Sequence, residues 1–333
     1  MAFPRPLTLN GSAPAANGSG WSPPVPCGGA GPLAGLGWSE YYMTDAVGMA
    51  FQQMYDGTGP LAEVVDAYWA LVANTLKDHP GVLAYELLNE PWSGDWISDP
   101  SLLLRAGAAE VKAVGPFMER ARSVVRGQDA TTPVLYSPSE INNRAARRVG
   151  YEYGFLLGEP MAFHAYCVLG TDGDGPTTPF QIDVCHVDDS AQINQRGEDL
   201  RRLKTAGFVT EFGAVSSKAT GLAEVDFVLN AFDALDPPVS WAFWDDALVI
   251  GDEAYEAALA RPYPIATAGD ISALRYDAAA RRLELNYTSN GETTEIFLGA
   301  YAYPGGREVA AWPDATVADA GDAIRVVAPA GTE

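Results

Sequence analysis

Cations are scarce in this chain. Its 21 Lys and Arg stand against 43 Asp and Glu, for a formal net charge of −22. A body of that sign repels phosphate backbones and anionic headgroups, which argues against a nucleic-acid binder and against a polybasic membrane anchor. Neutral partners meet no such penalty. Histidine is scarcer still, with three in 333 residues, and no two have the spacing of a metal-binding pair, so no metal and no other cofactor is expected. No run approaches the roughly 18 apolar residues of a membrane span, and no basic segment followed by an apolar one opens the chain, so neither a span nor a signal peptide is expected. Of the three cysteines, Cys27, Cys167 and Cys185, the last two flank a Gly/Asp/Pro/Thr-rich loop. They are candidates for a bridge in an oxidising compartment, and the spacing leaves the bonded and free states open. Sequons at Asn10, Asn17 and Asn286 fit secretion but arise often by chance.

What is present is an ordinary globular composition, 47% hydrophobic and 19% charged, long enough for one large domain plus a small one. Residues 1–37 are rich in Pro, Gly, Ala and Ser and read as a loop-rich, poorly ordered arm. From Gly59 apolar residues recur at helical spacing (Leu61, Val64, Val65, Tyr68, Trp69, Val72, Leu76) up to Pro80. A short apolar run, 82–88, then suits a strand buried on both faces. Strand-like runs follow at 133–136, 161–166, 208–211 and 239–244, separated by helical segments around 101–126, 190–206 and 221–235. This β/α succession predicts a parallel sheet over 38–261, with polar motifs at the C-terminal ends of its strands, where β/α barrels carry their chemistry. Beyond 262 the pattern changes to short alternating runs broken by Asn290-Gly291 and Pro304-Gly305-Gly306, which predicts a separate antiparallel β domain over 262–333.

Asn89-Glu90-Pro91 directly follows the first buried run, placing a carboxylate at the mouth of the sheet. A second, Glu211 in Val209-Thr210-Glu211-Phe212-Gly213, ends the fourth run. Two carboxylates at one rim are what glycoside hydrolysis needs: one protonates the leaving oxygen, and the other attacks or activates water. In the retaining arrangement they stand roughly 5 Å apart. Either glutamate alone also reads as a simple strand-end or helix-capping residue. His164 and Tyr166 alternate along Phe163-His164-Ala165-Tyr166 and so share a face. A phenol beside a carboxylate keeps it ionised and oriented, and a His tunes a neighbouring acid, although each residue also fits an ordinary core role. Trp244, ending Ser240-Trp241-Ala242-Phe243-Trp244, offers a flat surface for a sugar ring, whereas Trp241 reads as packing. Trp92 and Trp96 read either as an outer sugar site or as an exposed aromatic loop.

These strings resemble glycoside hydrolase family 5, and within it the endoglycoceramidase-like enzymes. The resemblance rests on Tyr85-Glu86-Leu87-Leu88-Asn89-Glu90-Pro91-Trp92, Phe163-His164-Ala165-Tyr166-Cys167, Thr210-Glu211-Phe212-Gly213 and Trp241-Ala242-Phe243-Trp244, with Arg261-Pro262-Tyr263-Pro264 opening the β domain. It implies a (β/α)8 TIM-barrel fold with a C-terminal antiparallel β-sandwich. It also implies retaining hydrolysis of a β-linked glycan from a glycosphingolipid, a glycolipid or oligosaccharide substrate met at a lipid surface, and a secreted or lumenal setting. Carried over by position, Asn89 contacts the sugar 2-hydroxyl, Glu90 is the acid/base and Glu211 the nucleophile. His164 and Tyr166 support the carboxylates, and Trp244 is the sugar platform. The five strands match the fourth to eighth of such a barrel, and the early strands with their Arg and His are not recognisable, so an incomplete barrel is expected. Ser137 stands where relatives often carry an acid. Other readings are a family relative acting on polysaccharide or steryl glucoside, a truncated protein that binds carbohydrate or lipid without turnover, and a metallohydrolase built around His164.

Overall fold

The computed structural model describes residues 42–167, 178–215, 218–244, 249–299, 301–311 and 314–332. The arm expected over 1–37 lies outside them. The chain divides into two compact units, one running to Phe163 with Arg202–Thr205 added, the other comprising His164–Arg201 and everything from Ala206 onward.

The first unit opens with α1 (Asp45–Tyr55) and α2 (Pro60–Leu76). Pro60 starts α2 at a position where its missing N–H costs nothing, and Gly59 precedes it at φ 84°. The predicted helix is there, but its buried stripe is narrower than the apolar pattern implied. Ala62, Trp69 and Ala73 are buried, while Val64, Tyr68 and Leu71 are more than half exposed. The strand expected over 82–88 forms ladder pairs only at β1 (Tyr85–Glu86), parallel to β2 (Val134–Leu135). Tyr136 continues the sheet with a parallel bridge to Met161, the first residue of β3 (Met161–Ala165).

Between β1 and β2 lie α3 (Ser101–Leu104), a π-helical turn over Glu110–Val114 and α4 (Gly115–Arg126). α4 buries Phe117, Met118, Ala121 and Val125, the 3.6-residue period of a core-facing helix. The π turn is held by the buried Glu110 carboxylate. It accepts hydrogen bonds from the Ser139 amide (2.9 Å) and hydroxyl (2.8 Å) and from Asn142 Nδ2 (2.7 Å), fixing the start of α5 (Glu140–Arg144).

In the second unit the end of β3 joins β4 (Gly207–Phe212) and β5 (Val239–Trp241), with β4 and β5 parallel. The intervening helices are α6 (Pro179–Leu203), α7 (Ala219–Asp233) and, after β5, α8 (Glu253–Leu259). α6 begins well before the predicted 190, and Cys185 within it is disulfide-bonded to Cys167. From Tyr263 six strands follow among the described residues, in antiparallel pairs. β6 (Tyr263–Ala266), β9 (Thr293–Phe297), β11 (Ala323–Val327) and β10 (Thr316–Asp319) form one sheet, and β7 (Gly269–Asp277) pairs with β8 (Arg282–Ser289) in another. Ile296, Leu298, Ile324 and Val326 form their core, with Leu283 and Leu285 of β8 packed against it. The two-residue alternation read in the sequence is this inward face.

Arg261, buried at the start of this region, bridges Asp226 (2.6 Å) and Asp233 (2.9 Å) of α7. Burial outweighs the shared guanidinium and pushes the Asp233 carboxyl up to about 6, against a usual 3.8. A carboxyl that keeps its proton to higher pH when folded contributes stability present below the unfolded value and lost as pH rises through the folded one. Asp233→Asn should therefore gain on the parent by roughly 2 kcal/mol between about pH 4.5 and about pH 7.5. Urea unfolding of both proteins at the two pH values reads this difference, and a constant difference would refute it.

Candidate active site

The second unit assembles three of the residues singled out in the sequence. Glu211 is the penultimate residue of β4, His164 the penultimate residue of β3, and Tyr166 lies just beyond β3. The Tyr166 hydroxyl donates to Glu211 Oε2 at 2.9 Å, and His164 Nδ1 lies 3.4 Å from the same oxygen. His164 is nearly inaccessible, with 4% of its side chain exposed, whereas the Glu211 side chain keeps 21%. One carboxylate is thus held by a phenol and a buried imidazole while remaining open to a ligand. Such an arrangement fixes the direction of the carboxylate. Tyr166 is itself braced, since Gln192 of α6 donates to its backbone carbonyl at 3.2 Å. The disulfide at Cys167 ties the next residue to the same helix.

The glycine of Thr210-Glu211-Phe212-Gly213 has a mechanical reason. Gly213 has φ 122°, and a Cβ there would lie 2.5 Å from the Phe243 ring and 2.7 Å from the Trp244 carbonyl oxygen. Only glycine lets β4 close on the segment carrying Trp244, whose amide donates to the Phe212 carbonyl at 2.8 Å. Trp244 is left 51% exposed, as a stacking surface requires. Trp241 packs edge-on against Phe212 at 5.5 Å, an arrangement of core aromatics.

The first unit carries Asn89 and Glu90 immediately after β1. Glu90 adopts φ 41°, a left-handed conformation rare for a non-glycine residue. Strained backbone of this kind costs on the order of 1–3 kcal/mol and concentrates where a side chain must be aimed. Asn89 is exposed and Glu90 half-buried. The Glu140 amide donates to the Pro91 carbonyl at 2.8 Å, pinning the segment from the side of α5.

Two residues that sequence reasoning missed join this cluster. Tyr42 packs on Trp92 at 5.3 Å, and its phenol is held above the usual value first by burial and then by the charges of Glu90 and Glu140. No motif marks Tyr42, which precedes the first readable helix, and Glu140 looks like an ordinary helix-start acid. Trp92 needs a correction as an outer sugar platform. It is 6% exposed, packed under Tyr42, with its carbonyl accepting from Tyr55 (2.6 Å). Its position beside Pro91 turns it into the core. Trp96 is partly buried. Ser137 is buried and donates to Glu86, a carboxylate of β1, at 3.4 Å.

Residues 261–333 match the glycoside hydrolase family 5 C-terminal domain. The chain is 26% identical over 308 residues to an endoglycoceramidase of Cyanea nozakii, covering 84% of this chain and 57% of the relative. It is 26% identical over 296 residues to that of Hydra vulgaris, covering 82% and 53%. The chain therefore spans about half the length of the curated relatives it matches. Among solved structures, endo-glycoceramidase II from Rhodococcus sp. is similar in fold, with a TM-score of 0.71 at 21% identity, covering 90% of this chain and 70% of that one. The same enzyme has been solved as a ganglioside GM3 complex. The family resemblance read from the strings around Glu90 and Glu211 is borne out by these matches.

Proposed function

We propose that this chain, related over most of its length to endoglycoceramidases, is a retaining β-glycoside hydrolase that releases the glycan of a glycosphingolipid. The observation that carries the reading is the 2.9 Å hydrogen bond from Tyr166 to Glu211, with His164 on the same oxygen. It suits a carboxylate that must be aimed at the carbon it attacks. In this reading β1 to β5 correspond to the fourth to eighth strands of a (β/α)8 barrel over 38–261, and the strands of 262–333 form a β-sandwich appended to it.

Glu211 attacks the anomeric carbon while Glu90, protonated, gives its proton to the glycosidic oxygen as the bond to the ceramide alcohol breaks. The product of this step is a glycosyl ester on Glu211 and a free lipid alcohol. Glu90, now a carboxylate, removes a proton from water as the water attacks the same carbon, which releases the sugar with its original configuration and restores both carboxyl groups. Asn89 orients the sugar 2-hydroxyl and Trp244 carries the ring face. No step calls on a metal or cofactor. The pair must stand roughly 5 Å apart for this chemistry.

Tyr166→Phe tests the support of the nucleophile. A hydrogen bond to a charged group contributes roughly 1.5–3 kcal/mol, so kcat should fall roughly 10- to 150-fold with a much smaller change in KM. An unchanged kcat would remove Tyr166 from the machinery. The substrate class is tested by a panel of glucosylceramide, steryl glucoside, cellulose and mannan. Preference for the ceramide with release of intact glycan is the expected outcome, and preference for the sterol or a polysaccharide would transfer the reading to another branch of the family.

A further inference from the structure

In a chain with 43 acids against 21 bases, one cavity of the first unit is lined by three cations. Arg105, Lys112 and Arg148 face a space of about 350 Å3, with Val111 and Glu152 also in its wall. Its floor is backbone against backbone. A Cβ at Gly150 would lie 2.0 Å from the Gly107 carbonyl oxygen, and Gly107 itself has φ 77°. The cavity is therefore built by main chain that cannot slide without breaking the contact. Lys112 is engaged by Asp99 (2.7 Å) and Ser101 (2.8 Å). Arg148 meets Glu152 only loosely, at 3.4 Å with both side chains mostly exposed. Arg105 has no ion-pair partner among the described residues. Two guanidinium groups are thus open to an incoming anion. Val111, an apolar side chain 64% exposed, stands in the same wall, and Leu104, 79% exposed, precedes Arg105 in the chain.

We propose that this cavity binds the anionic headgroup of a lipid, with Arg105 and Arg148 on the oxyanion and Val111 against the apolar part next to it. A guanidinium fork suits a phosphate oxyanion, and a free inorganic anion would have no use for the apolar rim. The net charge of −22 disfavours a densely anionic surface. The fitting partner is accordingly a sparse anionic lipid in a largely neutral layer. The inference deepens the reading of the chain as a glycolipid hydrolase by supplying the contact that holds it at the layer where its substrate lies.

The test uses the full chain carrying Glu211→Gln, so that no turnover interferes, in cosedimentation with phosphatidylcholine vesicles alone and with a minor fraction of phosphatidylglycerol. Binding to the mixed vesicles and little to the neutral ones is expected. Each arginine near an anionic surface contributes about fivefold, so Arg105→Ser with Arg148→Ser should weaken binding roughly 25-fold. Val111→Ser should weaken it further. In the protein with Glu211 intact, the same arginine changes should leave hydrolysis of a soluble aryl glycoside and the circular dichroism spectrum unchanged. Equal binding to both vesicle types, or binding indifferent to the arginine pair, overturns the proposal. So does occupancy of the cavity by inorganic phosphate without vesicle binding, which would make it a free-anion site. If the parent fails to hydrolyse any glycoside, the hydrolase reading falls and the vesicle result stands by itself.

Discussion

Glu211→Gln is expected to reduce turnover of a fluorescent glycosylceramide to background while leaving the protein folded. The amide has nearly the shape of the carboxylate, and its oxygen still accepts the Tyr166 hydroxyl, which sits at 2.9 Å in the parent. What is lost is the negative oxygen that forms the bond to the anomeric carbon, and no rearrangement of neighbours restores it. His164 keeps its buried place, so a change in thermal unfolding of more than a few degrees is not expected. Single-turnover kinetics should show no burst of released lipid, because the defect precedes the first bond cleavage. Substantial residual turnover would move the nucleophile elsewhere.

Glu90→Gln should behave differently, and the difference separates the two roles. Loss of a general acid costs roughly 10²–10⁴-fold when the leaving alkoxide is a poor one, as a ceramide alcohol is. An aryl glycoside whose phenolate leaves unaided should still glycosylate Glu211 at close to the parent rate, then stall because no base activates water. Added azide, which needs no such base, should relieve the stall and give the β-glycosyl azide. The leaving-group dependence of kcat/KM should accordingly be steep in the variant and shallow in the parent. Equal loss on both substrate types, with no rescue by azide, would mean that Glu90 does not carry the proton. The φ of 41° at Glu90 adds a structural control. Glutamine tolerates that backbone about as well as glutamate, so a folding defect does not mimic the kinetic one.

The cluster around Glu211 was legible because motif and mechanics coincide there. The Gly after Phe212 is demanded by the Phe243 ring and the Trp244 carbonyl, and the step from His164 to Tyr166 puts both on one oxygen of Glu211. Parallel pairing of β1 with β2 and of β4 with β5 coincides with the short apolar runs of the sequence. Other features were illegible for physical reasons. The run over 82–88 looks like a seven-residue strand, yet only Tyr85 and Glu86 make ladder pairs, because a ladder needs a neighbour that local sequence does not reveal. The helical period of α2 is plain, but which side it buries is set by its packing partners. Hence Val64, Tyr68 and Leu71 are exposed despite their character. Trp92 reads like a sugar-facing aromatic and is core, because Tyr42 covers it from a segment without a motif. Glu110, a charged residue in an apparently regular helix, is buried as the organiser of a π turn. Burial of that kind follows from the Ser139 and Asn142 donors, which are distant in sequence.

The most direct test is covalent trapping. A 2-deoxy-2-fluoro glycoside with a good leaving group slows hydrolysis of the glycosyl-enzyme more than its formation, so the intermediate accumulates and survives digestion. Mass spectrometry of the peptides should find one fluoroglycosyl group, on the carboxylate of Glu211, in the parent and in Glu90→Gln but not in Glu211→Gln. A label on any other residue, or inactivation without a covalent adduct and with inverted product, would contradict double displacement at Glu211.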